Sequence, residues 1–516
     1  MVFPSIRRWD SDHRAPGTSR PVVIPVSSAP CLRDRAAWAP CHRLTSRENA
    51  PYPVAARVVR GMRRRVRSRE GQRHLVKGGE MERCLSGHEA MMIAGDMRVV
   101  TVWELRGDID ARALRGALGH LVRRYPVLGG RLSLQGENAY VRLTDGEGPA
   151  VRLDRATDLG QELNAATNWS QGPLLRMALI TREGTRDTPG RTHRLVTTLP
   201  RACVDGTSVI ALHQAFWSLY ADVCSGRPVT TEPVQPVLAP AIEEAFHHKY
   251  APDELREYVT RRAATDARVP PARLPSPASE GPGPGPDMTF GAARVSVDAA
   301  RTAALVDIAH RHALSVNSLL CGLFTAAVRP ALTPARGPVP VCCGVAVDMR
   351  RRVTPPIPEE VLQSAASGMP VRLAVDVPAD PLALGRELSR SVREGLAGGV
   401  PERELAAFPY MARQCPPTFF VTNLGRIAVP SLPDGLVATG LRVLPMSRIP
   451  TLFVVVTRFG DGLHIDLPIS RAWYTDAQVD DLASRTHGVV DEVVAAHATP
   501  AAGPPAAGAG GRGATP

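Results

Sequence analysis

The sequence predicts an α/β (α+β) protein whose two halves each combine strands and helices. Strand-like and helix-like segments follow one another over 81–265, and again over 289–497. The intervening segment, 266–288, is rich in Pro and Gly and has no packing pattern, so it is predicted to be a linker. With 516 residues, the chain is long enough to bury a large core. Because two packed layers commonly hold a ligand at their interface, we expect the functional site there.

The N-terminal half opens with a strand and an amphipathic helix. MRVVTVWELRG (97–107) alternates and is rich in β-branched residues, which predicts a strand. The next stretch, DARALRGALGHLVRRY (110–125), places its apolar residues on one helical face. Asp108 or Asp110 can cap this helix, and Pro126 ends it.

A second strand and helix of this half flank a short loop. The strand is RLVTTL (194–199), and the helix runs from about residue 208 to residue 223. Its apolar side chains recur at helical spacing, so they predict a buried stripe. This stripe consists of Val209, Leu212, Phe216, Leu219, Tyr220 and Val223.

The C-terminal half combines five predicted strands with three predicted helices. The strands are MTFGAARVSV (288–297), VPVCCGVAVDMR (339–350), TFFVTNLG (418–425), TLFVVVTRF (451–459) and LHIDLPIS (463–470). The helices span 298–313, 315–330 and a last segment from Thr475 or Asp476 to about His497. Gly460-Asp461-Gly462 predicts a hairpin between the last two strands.

The two ends of the chain lack any pattern that predicts packing. Residues 1–80 are basic and aperiodic, so they are predicted to be a disordered extension. The residues KGGE before Met81 can be encoded by a sequence that resembles a bacterial ribosome-binding site. We therefore hypothesise that translation starts at Met81 and that the extension is not translated. Residues 498–516 are of low complexity and are predicted to be a disordered tail.

Charge and cysteine content argue against several classes of protein. Residues 1–80 hold 17 Lys and Arg against 6 Asp and Glu, so they account for +11 of the net charge of +12. The remaining chain is nearly neutral, and we expect no nucleic-acid partner. No apolar run reaches the length of a membrane span. The nine cysteines include no C-x-x-C pair, which favours reduced thiols in a cytoplasmic protein without a metal site.

The loop LPRACVDGTS (199–208) adds a more specific pattern. Together with LRGDIDARALRGALGHLVRRYPVLGGRL, LSVNSLLCGLFTAAV, VAVDMRRRV and FVTNLG, in this order, it resembles the condensation-domain and polyketide-associated (mycocerosyl-transferase-like) acyltransferase superfamily. The resemblance covers about residues 81–497. Members carry a His-His-x-x-x-Asp-Gly motif in this loop. Here Pro200 and Arg201 replace both histidines, whereas Asp205 and Gly206 remain.

The resemblance implies two chloramphenicol-acetyltransferase-like subdomains around a central tunnel. An acyl thioester, on coenzyme A or on the phosphopantetheine of a carrier protein, enters as the co-substrate, and a small hydroxyl or amine compound accepts the acyl group. We therefore expect an acyltransferase of specialised metabolism or complex-lipid assembly, or an enzyme of a related condensation or cyclisation, without a permanently bound cofactor. A carrier protein or a polyketide or nonribosomal synthase is the expected partner.

The replacement of the motif histidines changes the expected chemistry. By register, Arg201 occupies the position of the catalytic histidine, yet a guanidinium stays protonated in proteins and cannot serve as a general base. Arg201 could instead bind a carboxylate or phosphate, or stabilise an oxyanion. We take Arg201, Asp205 and Gly206 as the candidate catalytic residues. The alternative is a catalytically inactive condensation-like module that binds a carrier protein or a partner enzyme.

Four further residues are candidates for supporting roles. The resemblance implies a structural ion pair between Asp205 and an arginine, for which we select Arg350, with Asp348 in the same VAVDMR segment. Asn423 lies in a segment that lines the tunnel in relatives, where a substrate hydrogen bond and a β-bulge are both open. Cys203 is a candidate substrate contact or a small buried side chain.

The histidines offer no clear substitute for the missing base. His88 lies in LSGHEAMM, which resembles the N-terminal segment of the family and is not the motif position. His193 and His213 are expected to be structural. The pair His247-His248 lacks a trailing Asp-Gly and is expected on an exposed helix surface.

Overall fold

The computed structural model describes residues 75–77, 80–135, 138–143, 151–184, 190–230, 232–276, 288–411 and 415–497. All of them lie within the compact unit Tyr52–Pro516. The N-terminal elements are β1 (Leu75–Lys77), β2 (Glu80–Cys84), α1 (Gly87–Ala94), β3 (Arg98–Arg106), α2 (Ala111–Arg124), β4 (Arg131–Gln135), β5 (Asn138–Arg142), β6 (Leu153–Ala156), α3 (Leu159–Leu163), β7 (Arg176–Arg182), β8 (Thr192–Pro200), α4 (Gly206–Cys224) and α5 (Pro252–Arg268).

The C-terminal elements alternate between strands and helices in the same way. They are β9 (Phe290–Val297), α6 (Ala299–Arg311), α7 (Val316–Val328), β10 (Val339–Asp348), β11 (Ala366–Val375), α8 (Pro381–Ala397), α9 (Val400–Ala406), β12 (Phe419–Ile427), β13 (Val437–Met446), β14 (Phe453–Phe459), β15 (Gly462–Ser470) and α10 (Asp476–Ala496). The sequence prediction agrees with helices α2, α4, α6, α7 and α10, with strands β3, β8, β9, β10, β12, β14 and β15, and with the hairpin between β14 and β15. It did not include helices α1, α3, α5, α8 and α9.

The strands form three sheets. One has four strands in the order β1-β2-β5-β4, one has five in the order β13-β3-β8-β7-β6, and one has six in the order β11-β10-β12-β14-β15-β9. The fold is therefore mixed α/β with two main sheets, one in each half. β13 lies in the C-terminal half of the sequence but pairs antiparallel with β3 along its whole length. The sequence prediction missed this strand, so the boundary at the linker does not separate the two sheets.

The core around β3 and α4 is apolar and aromatic. Trp103 and Trp217 meet edge to face with ring centroids 5.7 Å apart, and Phe459 from β14 packs against Trp103 at 5.8 Å. Edge-to-face contacts of this kind stabilise a core beyond the apolar area that they bury. Because Phe459 and strand β13 join this cluster, the two halves of the chain share one core. A second core cluster lies between the six-stranded sheet and helices α6, α7, α8 and α10.

Two predictions about the segments that flank the halves need correction. Leu75–Lys77 and Glu80 form strand backbone, although they belong to the stretch predicted to be disordered. The chain at 266–276 is also packed, because α5 extends into it and Leu274 is buried in the second core. The backbone N–H of Ala272 donates to the carbonyl of Pro340, so hydrogen bonds that a Pro/Gly composition does not reveal hold this stretch. The other residues of the predicted extension, linker and tail lie outside the described ranges.

The described helices are short or polar relative to a membrane span. None of them alone is long and apolar enough to cross a membrane. Two consecutive helices reach the length and apolar composition of a membrane span only when they are counted together, and a bend of 106° separates them. They are Ala299–Arg311 and Val316–Ala331.

Candidate functional site

A central cavity of about 830 Å³ lies where the two halves meet. Strands β3, β10 to β14, helices α1 and α5, and the start of α4 all contribute to its wall. Most of the wall is apolar, with side chains that suit an acyl chain or another apolar group. The apolar lining includes Met91, Met92, Met97, Val99, Phe408, Phe420, Leu424, Val443, Phe453 and Val455.

The loop between β8 and α4 is fixed by its own hydrogen bonds. The backbone N–H of Arg201 donates to the carbonyl of Met97 at 2.9 Å, which joins the loop to the start of β3. Asp205 caps α4: its Oδ1 accepts from the backbone N–H of Ser208 at 2.8 Å, and the Ser208 Oγ accepts from the Asp205 N–H at 3.0 Å. This reciprocal cap satisfies donors that would otherwise be unpaired at the helix start.

Asp205 also forms a buried ion pair with Arg350, as the resemblance implied. The Arg350 Nη2 donates to both carboxylate oxygens of Asp205, at 3.1 and 3.0 Å. The backbone N–H of Ala365 adds a third bond, to Oδ2 at 2.9 Å. Arg350 is 1% exposed and Asp205 is 2% exposed. The pair therefore ties the start of α4 to the loop that follows β10.

Asp348 does not enter this ion pair, although the sequence analysis placed it there. Its Oδ1 accepts from the backbone N–H of Arg350 at 2.9 Å, and its Oδ2 accepts from the Thr207 hydroxyl at 3.3 Å. Because the Arg350 side chain turns inward to Asp205, Asp348 supports the backbone turn after β10 and contacts the first turn of α4 through Thr207. This corrects its assignment.

Arg201 lies in the cavity wall and is held at one end. Its Nη1 donates to the carbonyl of Val204 at 2.6 Å and to the Ser364 hydroxyl at 2.7 Å. Within the described ranges it has no carboxylate at ion-pair distance. Burial lowers the pKa of Arg201; the attraction of Asp205 opposes this with a smaller effect, and the positive charge of Arg350 lowers the pKa further. Among the described residues, Arg201 is thus a cation that no carboxylate contacts directly, although Asp205 acts on it from a greater distance.

The other arginines of the wall differ from Arg201 in this respect. Arg262 pairs with Glu404, and Arg372 pairs with Asp266. Arg256 pairs with the exposed Asp253 at 2.6 Å. Of the lining arginines in the described ranges, only Arg201 lacks an acidic partner.

Gly206, the first residue of α4, leaves room for Leu424. A Cβ atom at residue 206 would lie 2.4 Å from the Leu424 Cδ2, which is too close for two carbon atoms that are not bonded to each other. Both residues line the cavity. The glycine therefore sets where the Leu424 side chain lies in the wall.

Asn423 and Cys203 do not line the cavity, so the substrate contact expected of each is not found there, and for Asn423 the structure agrees with the β-bulge that the sequence left open. Asn423 is exposed, and its Oδ1 accepts from the backbone N–H of Gly425 at 2.8 Å, at an irregularity in the pairing of β12 with β14. Successive side chains of a strand point to opposite faces, so its neighbours Thr422 and Leu424 line the cavity instead. Cys203 lines a separate small pocket, and burial raises the pKa of its thiol to about 12.

Of the histidines considered, only His88 lines the cavity. His213 is buried in α4, where its Nε2 bonds to the hydroxyls of Thr101 and Thr197 at 2.6 and 2.9 Å. His193 contacts the carbonyl of Gly107 at 2.9 Å. The exposed pair at 247–248 follows a 3-10 turn and does not lie on a helix as expected.

His88 was considered in the sequence analysis but given no role in the site. It lies in the first turn of the short helix α1, four residues before the buried Met92, and both residues line the cavity. The spacing of four residues puts the two on one helical face, which was readable from the sequence. A lone histidine on a short helix gave no reason to place that face against Arg201. Across the described ranges, no group of three metal-ligating side chains lies close enough to hold a metal ion.

Comparisons with known proteins agree with this geometry. Residues 286–468 match the family model described as the C-terminus of phthiocerol/phthiodiolone dimycocerosyl transferase. A search of curated proteins finds no match.

Solved structures resemble the chain over most of its length. Polyketide synthase associated protein 5 from Mycobacterium tuberculosis is 19% identical, with a TM-score of 0.63 over 80% of this chain and 98% of that protein. The epimerization domain from the third module of tyrocidine synthetase B is 16% identical, with a TM-score of 0.60 over 83% and 99%. Trichothecene 15-O-acetyltransferase from Fusarium sporotrichioides is 13% identical, with a TM-score of 0.62 over 81% and 97%. At these identities the likeness concerns the fold.

The shared fold has two subdomains, and its second half is the part that the family model matches by sequence. Residues 286–468 are therefore similar in sequence to that transferase family, and the chain shares its fold with condensation domains and acyltransferases of known structure.

Proposed function

We propose that this chain is an acyltransferase that moves an acyl group from a coenzyme A or carrier-protein thioester to a hydroxyl or amine in the central cavity. The observation that carries the proposal is Arg201, a cation that no described carboxylate contacts directly, in a largely apolar wall, at the loop where the superfamily has its motif histidine. The apolar wall suits the acyl chain, and Arg201 suits the oxygen on which negative charge develops.

Arg201 is arranged to act on a carbonyl oxygen. Its Nη1 is occupied by Val204 and Ser364, so the guanidinium is oriented before substrate binds. Within the described ranges, its Nε and Nη2 have no protein partner. A preoriented cation in a site of low polarity stabilises an oxyanion strongly, since it needs no reorganisation during the reaction. In this role Arg201 would polarise the thioester carbonyl, and a group other than Arg201 would accept the proton.

The test is a transfer assay with the full-length chain and two arginine variants. Acyl-CoAs and acyl-loaded carrier proteins are mixed with amines and alcohols, and products are detected by mass spectrometry. Arg201→Ala is expected to lower the transfer rate about 10²–10³-fold, the usual effect of losing an oxyanion-stabilising donor. The matched control is Arg123→Ala, an exposed arginine of α2 distant from the cavity lining, which should leave the rate unchanged. Full activity in Arg201→Ala would contradict the proposal.

A non-catalytic module is the second candidate, and one observation favours it. Neither motif position carries an imidazole, because Pro200 and Arg201 occupy them. Arg201→His separates the two candidates: an enzyme that uses Arg201 loses activity, whereas an inactive relative could regain some. Saturable binding of an acyl-carrier protein without turnover in any mixture would support the module.

A further inference from the structure

The imidazole of His88 is an unused chemical group in the cavity wall. Its Nδ1 is buried without a hydrogen bond, 3.6 Å from the Glu243 Oε1. Within the described ranges, its Nε2 has no partner and is not among the buried unpaired atoms, so it is open to the cavity. The ring of Phe408 packs against the imidazole with centroids 5.1 Å apart and restricts its orientation.

His88 and Arg201 belong to the same part of the wall. The Arg201 Nη1 donates to the Ser364 hydroxyl, and this hydroxyl lies 3.7 Å from the Met92 sulfur. Met92 and His88 lie four residues apart on α1, so they share one face of that helix. The positive charge of Arg201 also acts on His88, because it lowers the pKa of the imidazole in addition to the larger effect of burial.

We propose that His88, with Glu243 as its positioning partner, is the proton acceptor that replaces the missing motif histidine. This inference rests on the proposed acyl transfer. Nε2 takes the proton of the acceptor hydroxyl or amine while that oxygen or nitrogen bonds to the thioester carbonyl carbon, whose oxygen Arg201 stabilises. The carbon–sulfur bond then breaks, and the leaving thiolate takes the proton back from Nε2. The imidazole is neutral again after each cycle, so no other reactant is needed.

The charges around His88 fit a proton acceptor that works together with Glu243. Glu89 is neutralised by Arg83, whose two terminal nitrogens donate to its two oxygens at 2.8 Å each. Glu89 still raises the pKa of His88, whereas Arg201 and burial lower it. The Glu243 carboxyl lies beside the imidazole, 3.6 Å from its Nδ1. Ser86 donates to the Glu243 Oε1 at 2.7 Å and holds that carboxyl beside the imidazole.

The imidazole of His88 and the carboxyl of Glu243 differ in pKa, and Glu243 titrates within the pH range of a transfer assay. Burial lowers the pKa of His88 to about 4, so this imidazole is neutral at pH 7 and able to accept a proton. Burial and the nearby Glu89 raise the pKa of Glu243 to about 8. As the pH rises through 8, Glu243 becomes negative and stabilises the protonated imidazole that forms during transfer. Transfer to an alcohol, which does not titrate in this range, should therefore become faster between pH 7 and pH 9.

The experiment compares three variants of the full-length chain in transfer to an alcohol. His88→Gln should lower kcat about 10²–10⁴-fold, the usual effect of losing an acid–base group. Glu243→Gln, which keeps an oxygen for Ser86, should flatten the rise of rate with pH. The control is His248→Gln, an exposed histidine, which should behave like the wild type. Rates for His88→Gln within about threefold of wild type at every pH would overturn the proposal.

A second measurement keeps this test separate from the proposed function. Diethyl pyrocarbonate modifies neutral imidazoles, and peptide mass spectrometry can follow His88 in the wild-type chain. We expect rapid modification of His88 that is blocked by a ketone analogue of acyl-CoA, in which a methylene replaces the thioester sulfur. Failure of the analogue to protect His88 would overturn its role, even if the wild type transfers acyl groups. Protection together with the absence of any turnover would count against the proposed function and leave His88 as a ligand contact only.

Discussion

The buried ion pair between Asp205 and Arg350 can be tested by removing its arginine. Arg350→Ala deletes both bonds to Asp205 and also three bonds to the carbonyls of Pro358, Val361 and Gln363. The Asp205 carboxylate stays buried and keeps only its bonds to Ser208 and to the backbone N–H of residue 365. The variant therefore leaves an unneutralised carboxylate at the start of α4 and also removes the donor of three backbone carbonyls.

The expected loss of stability follows from the burial of this pair. Removing one partner of a buried ion pair costs about 3–5 kcal/mol, because the remaining charge has neither water nor a counter-ion. The matched control is Arg261→Ala, since Arg261 pairs with Glu257 at 2.7 Å while both side chains are 65% exposed. Exposed helix pairs contribute about 0.3–0.5 kcal/mol, so the control should change the free energy of unfolding only slightly.

Urea denaturation of the full-length chain, followed by tryptophan fluorescence, measures both free energies. A third variant, Asp205→Asn combined with Arg350→Met, removes the unneutralised charge and should regain part of the loss. If Arg350→Ala lowered the free energy of unfolding by less than about 1 kcal/mol, close to the effect of the control, the buried Asp205 carboxylate would not carry the expected cost. A double variant less stable than Arg350→Ala would contradict this cost as well.

Three further predictions concern the cavity wall and two buried groups. Gly206→Ala should slow acyl transfer with little effect on thermal stability, because the new methyl group displaces Leu424 into the cavity. Adding Leu424→Ala should restore the transfer rate, and a rate that does not recover would contradict this explanation. Burial lowers the pKa of His213 from 6.5 to about 3. Between these two pH values the unfolded chain binds one more proton than the folded chain, so the free energy of unfolding should fall as the pH drops from 7 to 4. His213→Gln should reduce that slope in acid denaturation, and an unchanged slope would contradict the assignment. Iodoacetamide at pH 8 should label the exposed Cys224 of the folded protein and leave Cys203 unmodified. Peptide mass spectrometry measures both reactions, and rapid labelling of Cys203 would contradict the raised pKa of its thiol.

Local patterns in the sequence were sufficient to predict about half of the described helices and strands. The apolar face of α2, the cap at Asp110 and the hairpin at 460–462 all depend on neighbours within a few residues, and each is present. β13 was missed for the opposite reason. Its partner is β3, more than 300 residues earlier, and Gly440 and Pro445 interrupt its pattern of alternating residues.

The candidate site could be predicted only where a motif marks it. The loop at Arg201 and the partner of Asp205 were placed by resemblance, since both lie in segments with a recognisable order of residues. Asn423 was misplaced by one position, because which face of a strand meets the cavity depends on tertiary packing. His88 reaches Arg201 through contacts of Ser364 and α1 that no local pattern contains.

The most direct test of the account is a crystal structure of the full-length chain with the ketone analogue of acyl-CoA. We expect the acyl chain along the apolar wall and the ketone oxygen within hydrogen-bonding distance of the Arg201 guanidinium, with His88 Nε2 facing the carbonyl carbon. An analogue bound outside the central cavity, or with its ketone oxygen directed away from Arg201, would contradict the proposal that Arg201 stabilises the thioester carbonyl oxygen in this cavity.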